Sequence, residues 1–264
     1  MIFETRTDVE RVGRARVEQE RDGRGLRALQ LGVFWLYVDE DDSGYTKHAL
    51  NDGFWEAWIT LWMDKNVRSG STVVDIGANH GYYSFFLASR KCKVFAFEPQ
   101  PRLAELIRRS EEQNHLSVNV EELAVSDSEG VINMMVPINH GMNATISNQF
   151  SYAPNGYTTI EVETVTLDNM FDTIEIDFIK VDAEGAEDLI WAGSKEFRKR
   201  QSPVWLMEWR YDRYKNPEAF AQDIFSTHDV TTVDFDGQEN PVSSPDYLYT
   251  VKHEDWMLVL RPKA

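Results

Sequence analysis

Apolar positions along this chain recur at two different periods, and the changes of period mark its elements. Residues 31–38 (LGVFWLYV) are a run of aromatic and branched side chains closed by an acidic turn, the pattern of a strand. Over residues 51–66 the period becomes helical. Phe54, Trp55, Trp58, Ile59, Trp62 and Met63 recur three and four residues apart, with Asn51 or Asp52 placed to cap. That face is expected to pack on the main sheet, with a tryptophan or Glu56 at the near end placed to close over a ligand. Short, largely apolar runs at 72–74, 93–97, 176–181 and 203–207 predict strands, and 118–125 reads as another. Helical patterns follow at 85–88, from Pro101 through Ile107, at 186–193 and at 217–226. Strand and helix alternate over short connections, which predicts right-handed crossovers and a parallel sheet.

The alternation pauses once. Residues 131–136 and 158–167 read as strands around a polar loop at 137–156, either functional or a disordered insertion. The final strands, 230–233 and 256–260, are expected to pair as an antiparallel hairpin. Residues 1–30 carry dense charge of both signs, fitting a solvated helix or a loosely held arm. No repeat or composition break divides the chain. The expectation is a single domain, with residues 1–66 as an extension packed on a core of residues 67–264.

Composition narrows the chemistry. The 264 residues are 42% hydrophobic and carry a formal net charge of −17. Such a surface repels phosphate backbones and anionic lipid heads, so neither nucleic acid nor a membrane is the expected partner. The single cysteine, Cys92, excludes a disulfide framework and any multi-cysteine metal site, and reads as a buried thiol. No apolar run reaches the ~20 residues of a membrane span. The N-terminal residues lack the apolar core of a secretory signal, so a cytoplasmic location is expected.

Residues 71–84 (STVVDIGANHGYYS) join a strand to a helix through a glycine-bearing loop. A dinucleotide loop needs glycine where this chain has Asn79, and no triphosphate-loop lysine is present. Asp75 at the strand end repels a pyrophosphate but suits an ammonium, and the helix N-terminus beside it suits a carboxylate. An amino-acid zwitterion attached to a nucleoside meets both demands, as in S-adenosylmethionine. Glu98 ends the next strand about 20 positions after Gly77, where an acid accepts hydrogen bonds from ribose hydroxyls.

The ordered set VVDIGANHGYYS, VFAFEPQP, Asn114 and Asn119 before LAVSD, VETVTLDNM and IDFIKVDAEGAE resembles the FkbM family of S-adenosylmethionine-dependent methyltransferases. The resemblance runs with gaps from about Trp55 to Gly193. It implies an α/β fold of the class I methyltransferase (Rossmann-like) type: a seven-stranded, mostly parallel sheet, helices on both faces, the last strand antiparallel. It also implies that Asp75, Gly77, Asn79 and Gly81 surround the methionine part of the cofactor. Glu98 binds the ribose with Pro99 beside it, and Leu123 and Ala124 flank the adenine. Asp182 sits near the transferred methyl with Glu184 close by. Where relatives carry an aliphatic residue this chain has His80, either an exposed helix-start residue or an extra active-site group.

Many members of that family resemble O-methyltransferases of sugars or natural products. The expected activity is therefore methylation of a hydroxyl on a small molecule or glycan. A base for that hydroxyl is useful; Asp182 and Glu184 come first, then His80 and Glu208. No metal is assigned, although a divalent cation held by Asp182, Glu184 and Glu208 is an alternative activator. Glu187 reads as first-turn helix charge, and Lys180 as a side chain that snorkels from an apolar strand. Two other classes stay open: a cofactor-binding regulator without methyl transfer, and a nicotinamide oxidoreductase, against which Asn79 argues. The acceptor and the oligomeric state are left open.

Overall fold

The computed structural model describes residues 3–42, 44–138, 144–146, 156–250 and 252–263. Most of the polar loop anticipated at 137–156 lies outside them.

The charge-dense N-terminal segment forms regular elements among its described residues. Helix α1 (Arg6–Arg16) starts at Thr5, whose hydroxyl accepts from the Asp8 N–H while Asp8 reaches back to the Thr5 N–H. This capping box fills two donors that a helix start leaves unpaired. Strands β1 (Glu18–Arg21), β2 (Leu26–Gln30) and β3 (Phe34–Val38) form an antiparallel meander. The mixed charges of residues 1–30 pair locally and across elements, as in Arg6–Glu10 at 2.7 Å and Arg14–Asp52 at 3.0 Å. The long helix expected over 51–66 is instead two helices, α2 (Tyr45–Asp52) and α3 (Ala57–Asn66). Gly53, at φ +69°, ends α2, so Asn51 and Asp52 lie in a last turn rather than capping a first one.

Then come β4 (Thr72–Ile76), α4 (Tyr82–Ser89), β5 (Lys93–Phe97), α5 (Pro101–Asn114) and β6 (Val118–Glu121). The strand expected through residue 125 breaks here. After β6 the chain leaves the main sheet, and β7 (Ala124–Val125), β8 (Gly130–Pro137), β9 (Thr145–Ile146) and β10 (Tyr157–Val165) make a second sheet in the order β7-β10-β8-β9. A short helix, α6 (Leu167–Met170), returns to β11 (Phe178–Val181). Helices α7 (Glu187–Ala192) and α8 (Phe197–Arg200), strand β12 (Val204–Trp209), helix α9 (Pro217–Thr227) and strands β13 (His228–Val233), β14 (Glu239–Val242) and β15 (Trp256–Pro262) complete the chain.

The main sheet has the order β14-β13-β15-β12-β11-β4-β5-β6. Its β12-β11-β4-β5-β6 half is parallel, and β15 inserts antiparallel between β12 and β13. This is the expected seven-strand plan with one addition. The linker before β15 contributes an edge strand, β14, paired to β13.

Burial alternates along the strands. Val73, Val94, Phe178 and Leu206 face one apolar cluster, together with α4, α5 and the extension. Val74, Ile179, Val181 and Trp205 face another, with α7 and α9. Each fully buried aliphatic or aromatic side chain contributes about 1.5–3 kcal/mol. The tryptophan face of α3 divides its duties. Trp62 packs on Phe178 of the sheet, whereas Trp55 sits against Tyr45 at the mouth of a cavity. Cys92 is a buried free thiol. Among the described residues, no helix is long and apolar enough to cross a membrane.

Candidate active site

Strands β4, β5, β11 and β12 run parallel in nearly common register, so their carboxyl ends open on one side. The loops leaving them line a cavity of about 390 Å³. Ligands of open α/β sheets bind at such a crevice.

Gly77 makes the closest approach in its floor. Its φ is +77°, and a Cβ there would lie 1.9 Å from the Asp182 carbonyl oxygen. The N–H groups of Gly77 and Ala78 both donate to the Phe97 carbonyl at 3.0 Å. The turn is thereby tied to β5 on one side and pressed on β11 on the other. Asn79 is left-handed (φ +55°), and its N–H donates to Glu98 Oε2 at 2.8 Å. The Gln100 N–H donates to Glu98 Oε1 at 3.0 Å. Glu98 is 3% exposed, and burial pushes its carboxyl up to about 7 against those two hydrogen bonds. Pro99, Leu123 and Ala124 line the adjoining wall, with Met134 and Ala144 from the second sheet.

Asp75 is not on the cavity wall. β4 continues through Ile76, which turns the Asp75 side chain into the protein beneath the loop. Its Oδ2 accepts from the Ser84 hydroxyl at 2.6 Å, and its Oδ1 has no hydrogen-bond partner among the described residues. Lys180 Nζ lies 3.8 Å from Asp75 and 3.2 Å from Asp182. Lys180 does not snorkel. It is 2% exposed, its ammonium sits over the Tyr83 ring at 5.0 Å, and the neighbouring carboxylates hold its pKa above the ordinary value. Burial raises the Asp75 pKa, and Lys180 opposes the rise. Gly81 is likewise off the wall; it takes φ +84° at the start of α4, packed on Phe85.

His80 is 1% exposed, so the exposed helix-start reading fails. It lines the cavity and stacks on Tyr45 with ring centroids 4.5 Å apart. The Asp39 N–H donates to Nε2 at 3.5 Å, which assigns the proton to Nδ1, 2.6 Å from Asn79 Oδ1. Both ring nitrogens are thus engaged, and the imidazole holds Asn79 in place. Burial pushes its pKa down to about 4. An NMR titration, with His80→Gln assigning the ring, is expected to find no protonation between about pH 5 and 8. A midpoint inside that window would refute the buried, neutral assignment.

The opposite end of the cavity is acidic. Asp182, Glu184 and Glu208 are joined there by Glu56 and Asp255. Arg213 pairs with Glu184 at 2.9 Å, with Asp255 at 3.4 Å and with Glu208. Burial and the Asp182 charge raise the Glu184 and Glu208 pKa values, opposed by Arg213. Glu187 is fully buried and accepts from the Ala183 and Gly185 N–H groups, so it braces the loop after β11. Among the described residues, no group of three or more His, Cys, Asp or Glu side chains is arranged to hold a metal ion.

Sequence reasoning passed over Tyr45, Tyr83, Arg213 and Asp255, all on the cavity wall. Tyr83 stands in the glycine-loop motif but reads there as a helix residue; Tyr45, Arg213 and Asp255 lie in segments with no motif, and only chain folding brings them to the loops. Glu56 carried one signal, its place at the start of the tryptophan helix.

A sheet with this strand order and a crevice at the carboxyl ends of its parallel strands is that of the class I methyltransferases. The chain belongs to the Methyltransferase FkbM domain family, whose profile matches residues 75–235. Among solved structures it is similar to Methyltransferase FkbM from Methylobacillus flagellatus KT: 15% identity, TM-score 0.48, covering 77% of this chain and 47% of that one. It is also similar to the Pyrococcus abyssi tRNA (uracil-54, C5)-methyltransferase in complex with S-adenosyl-L-homocysteine: 14% identity, TM-score 0.42, covering 94% and 44%. A third is precorrin-6y C5,15-methyltransferase from Geobacter metallireducens GS-15: 11% identity, TM-score 0.46, covering 86% and 97%. The chain thus spans about half the length of the first two. No curated protein matches it.

Proposed function

We propose that this protein binds S-adenosylmethionine in the cavity and transfers its methyl to a hydroxyl of a sugar- or natural-product-like small molecule. The observation that carries the proposal is the cavity itself, with Glu98 held at the end of β5 and Asp182 across the glycine turn at the end of β11. When bound, S-adenosylmethionine supplies a methyl group already activated by the sulfonium charge.

The residues present fit that group. Glu98 is oriented by two backbone N–H groups, as a carboxylate that accepts ribose hydroxyls must be. Leu123, Ala124 and Met134 offer an apolar slot for a base. Gly77 and Asn79 bring backbone close enough to meet an amino-acid moiety. Asp75 and Gly81 act in this reading from beneath, by holding Lys180 and the start of α4. Asp182 and Glu184 face the reacting end, where the protein's task is to align a nucleophile and exclude water. His80 positions Asn79 rather than moving a proton. Residues 1–66 count as an extension of the 67–264 core, and they complete the wall through Tyr45, Trp55 and Glu56. The net charge of −17 favours a small acceptor over nucleic acid.

Calorimetry with S-adenosylmethionine tests the reading. Binding is expected, and Glu98→Gln is expected to weaken it about tenfold, the loss of one charge-assisted hydrogen-bonding group. Transfer of a labelled methyl to a panel of hydroxylated acceptors, read by mass spectrometry, tests the chemistry. Binding of NAD without binding of S-adenosylmethionine would overturn the assignment. Cofactor binding with no transfer to any acceptor would leave a binder in place of an enzyme.

A further inference from the structure

We propose that Glu56, supplied by the N-terminal extension, is the base that takes the proton from the acceptor hydroxyl. The inference rests on the methyl-transfer reading above and names a residue outside the matched segment, 75–235.

The backbone at Glu56 is held in an uncommon shape. The residue occupies the N-cap of α3 in a left-handed conformation (φ +36°, ψ +73°), and its side chain caps nothing. Three hydrogen bonds pin the turn. Ile59 and Thr60 N–H groups donate to the Glu56 carbonyl at 3.0 Å, and the Thr60 hydroxyl donates to the Trp55 carbonyl at 2.8 Å. Non-glycine residues hold such shapes where the surroundings over-determine them, often at functional sites. Here the result is a side chain turned from its own helix onto the cavity wall.

Among the described residues, Glu56 is the acid at that end with no ion pair. Asp182 is tied to Lys180, and Glu184 and Glu208 share Arg213. Glu56 Oε2 accepts from the Tyr83 hydroxyl at 2.7 Å. Its Oε1 makes no hydrogen bond to any described residue. The groups that face it are Tyr82 and Tyr83 of α4, Lys180 of β11, Asp182 after β11 and Asp255 before β15. Burial and Asp182 push its carboxyl up to about 7, while Tyr83 and Lys180 hold it down. A base with a value near the working pH is the effective one.

The step balances. Ionised Glu56 takes the acceptor O–H proton. The oxygen electron pair forms the new O–CH3 bond, the C–S bond breaks, and its pair stays on sulfur as an uncharged thioether. The negative charge of Glu56 and the positive charge of the sulfonium are both consumed.

Two ligands test this without a known acceptor: S-adenosylhomocysteine, and sinefungin, which carries an ammonium where the methyl sulfonium stands. An ionised Glu56 beside the methyl position favours sinefungin. The affinity ratio of sinefungin to S-adenosylhomocysteine should rise with pH through about 7, and taking the ratio cancels the titration of Glu98, which both ligands share. Glu56→Gln is expected to lower that ratio about tenfold, remove the rise centred near 7 and leave S-adenosylhomocysteine affinity within about twofold, any dependence from Glu184 and Glu208 lying at higher pH. Tyr83→Phe removes a hydrogen bond that favours the ionised form, so the midpoint should move to higher pH. With the acceptor found in the hydroxyl panel, Glu56→Gln should lower kcat about a hundredfold. An unchanged ratio in Glu56→Gln, an unmoved midpoint in Tyr83→Phe, or an unchanged kcat would overturn the base. Failure of the wild-type protein to bind either ligand would overturn the proposed function itself.

Discussion

Lys180→Met is expected to destabilise the protein by about 3–5 kcal/mol at neutral pH, because it leaves two carboxylates without their cation. The total stability of a domain is about 5–15 kcal/mol, so the variant should be near the edge of folding. Lys180 is the cation that Asp75 and Asp182 share, and Asp75 already has one oxygen with no hydrogen bond among the described residues. The loss should depend on pH in a defined direction. Burial holds the folded Asp75 pKa above its unfolded value, and removal of the ammonium raises it further. A group raised on folding contributes stability below its unfolded value and loses it as pH rises through its folded value. The unfolded chains titrate alike, so the gap between variant and wild type should widen as pH rises through the folded Asp75 value of the wild type, which burial holds above the ordinary aspartate range. Urea denaturation across that range checks it; a gap that is constant with pH would mean that Lys180 acts through packing alone.

Gly77→Ala is expected to abolish measurable cofactor binding, a loss of about a hundredfold or more. Two independent obstacles meet at this position. The left-handed backbone costs an L-residue about 1–2 kcal/mol. The added Cβ would also stand 1.9 Å from the Asp182 backbone oxygen, and neither atom belongs to a flexible side chain. Relief requires the ends of β4 and β11 to separate. That movement carries Asp182 away from Asn79 and Glu98, which the turn ties together. Overpacking of this kind also costs about 1–3 kcal/mol of stability. Calorimetry with S-adenosylmethionine, beside a thermal melt, reads both effects. Retained affinity would show that the close approach is not what shapes the site.

Much of the core was legible in the sequence. The strands at 72–76, 93–97 and 178–181 are short, apolar and bounded, because both faces of a parallel sheet are buried. The glycine turn and Glu98 announced a crevice at their ends, since a strand-to-helix loop of that kind has few other uses. The antiparallel insertion of β15 beside β13 followed from a linker with no helical pattern. The misses have a common cause. Helical periodicity over 51–66 measures a need for burial, and it persists through the break at Gly53 because the linker residues Phe54 and Trp55 pack on the same core as Ile59, Trp62 and Met63 of α3. The stretch 118–125 has strand-forming residues at both ends, Val118 and Val120 for one sheet and Ala124 and Val125 for the other, which hid the switch between them at Glu121 and Glu122.

The roles of charged side chains were the least legible. Asp75, Lys180 and His80 each carry a polar group that a local reading sends to ligand or to water. Burial was decided instead by what folds over them: Tyr83 and Ser84 from α4, and Asp39 and Tyr45 from the extension. The sequence by itself determined the parallel α/β sheet, the glycine turn and the acid at the end of β5, because periodicity, backbone freedom and strand-end position are local properties. Only the tertiary structure decided which acids share a cation, that His80 is locked and neutral, and that Glu56 turns onto the cavity wall. Ion pairing and desolvation depend on neighbours distant in the chain, and no local pattern encodes them.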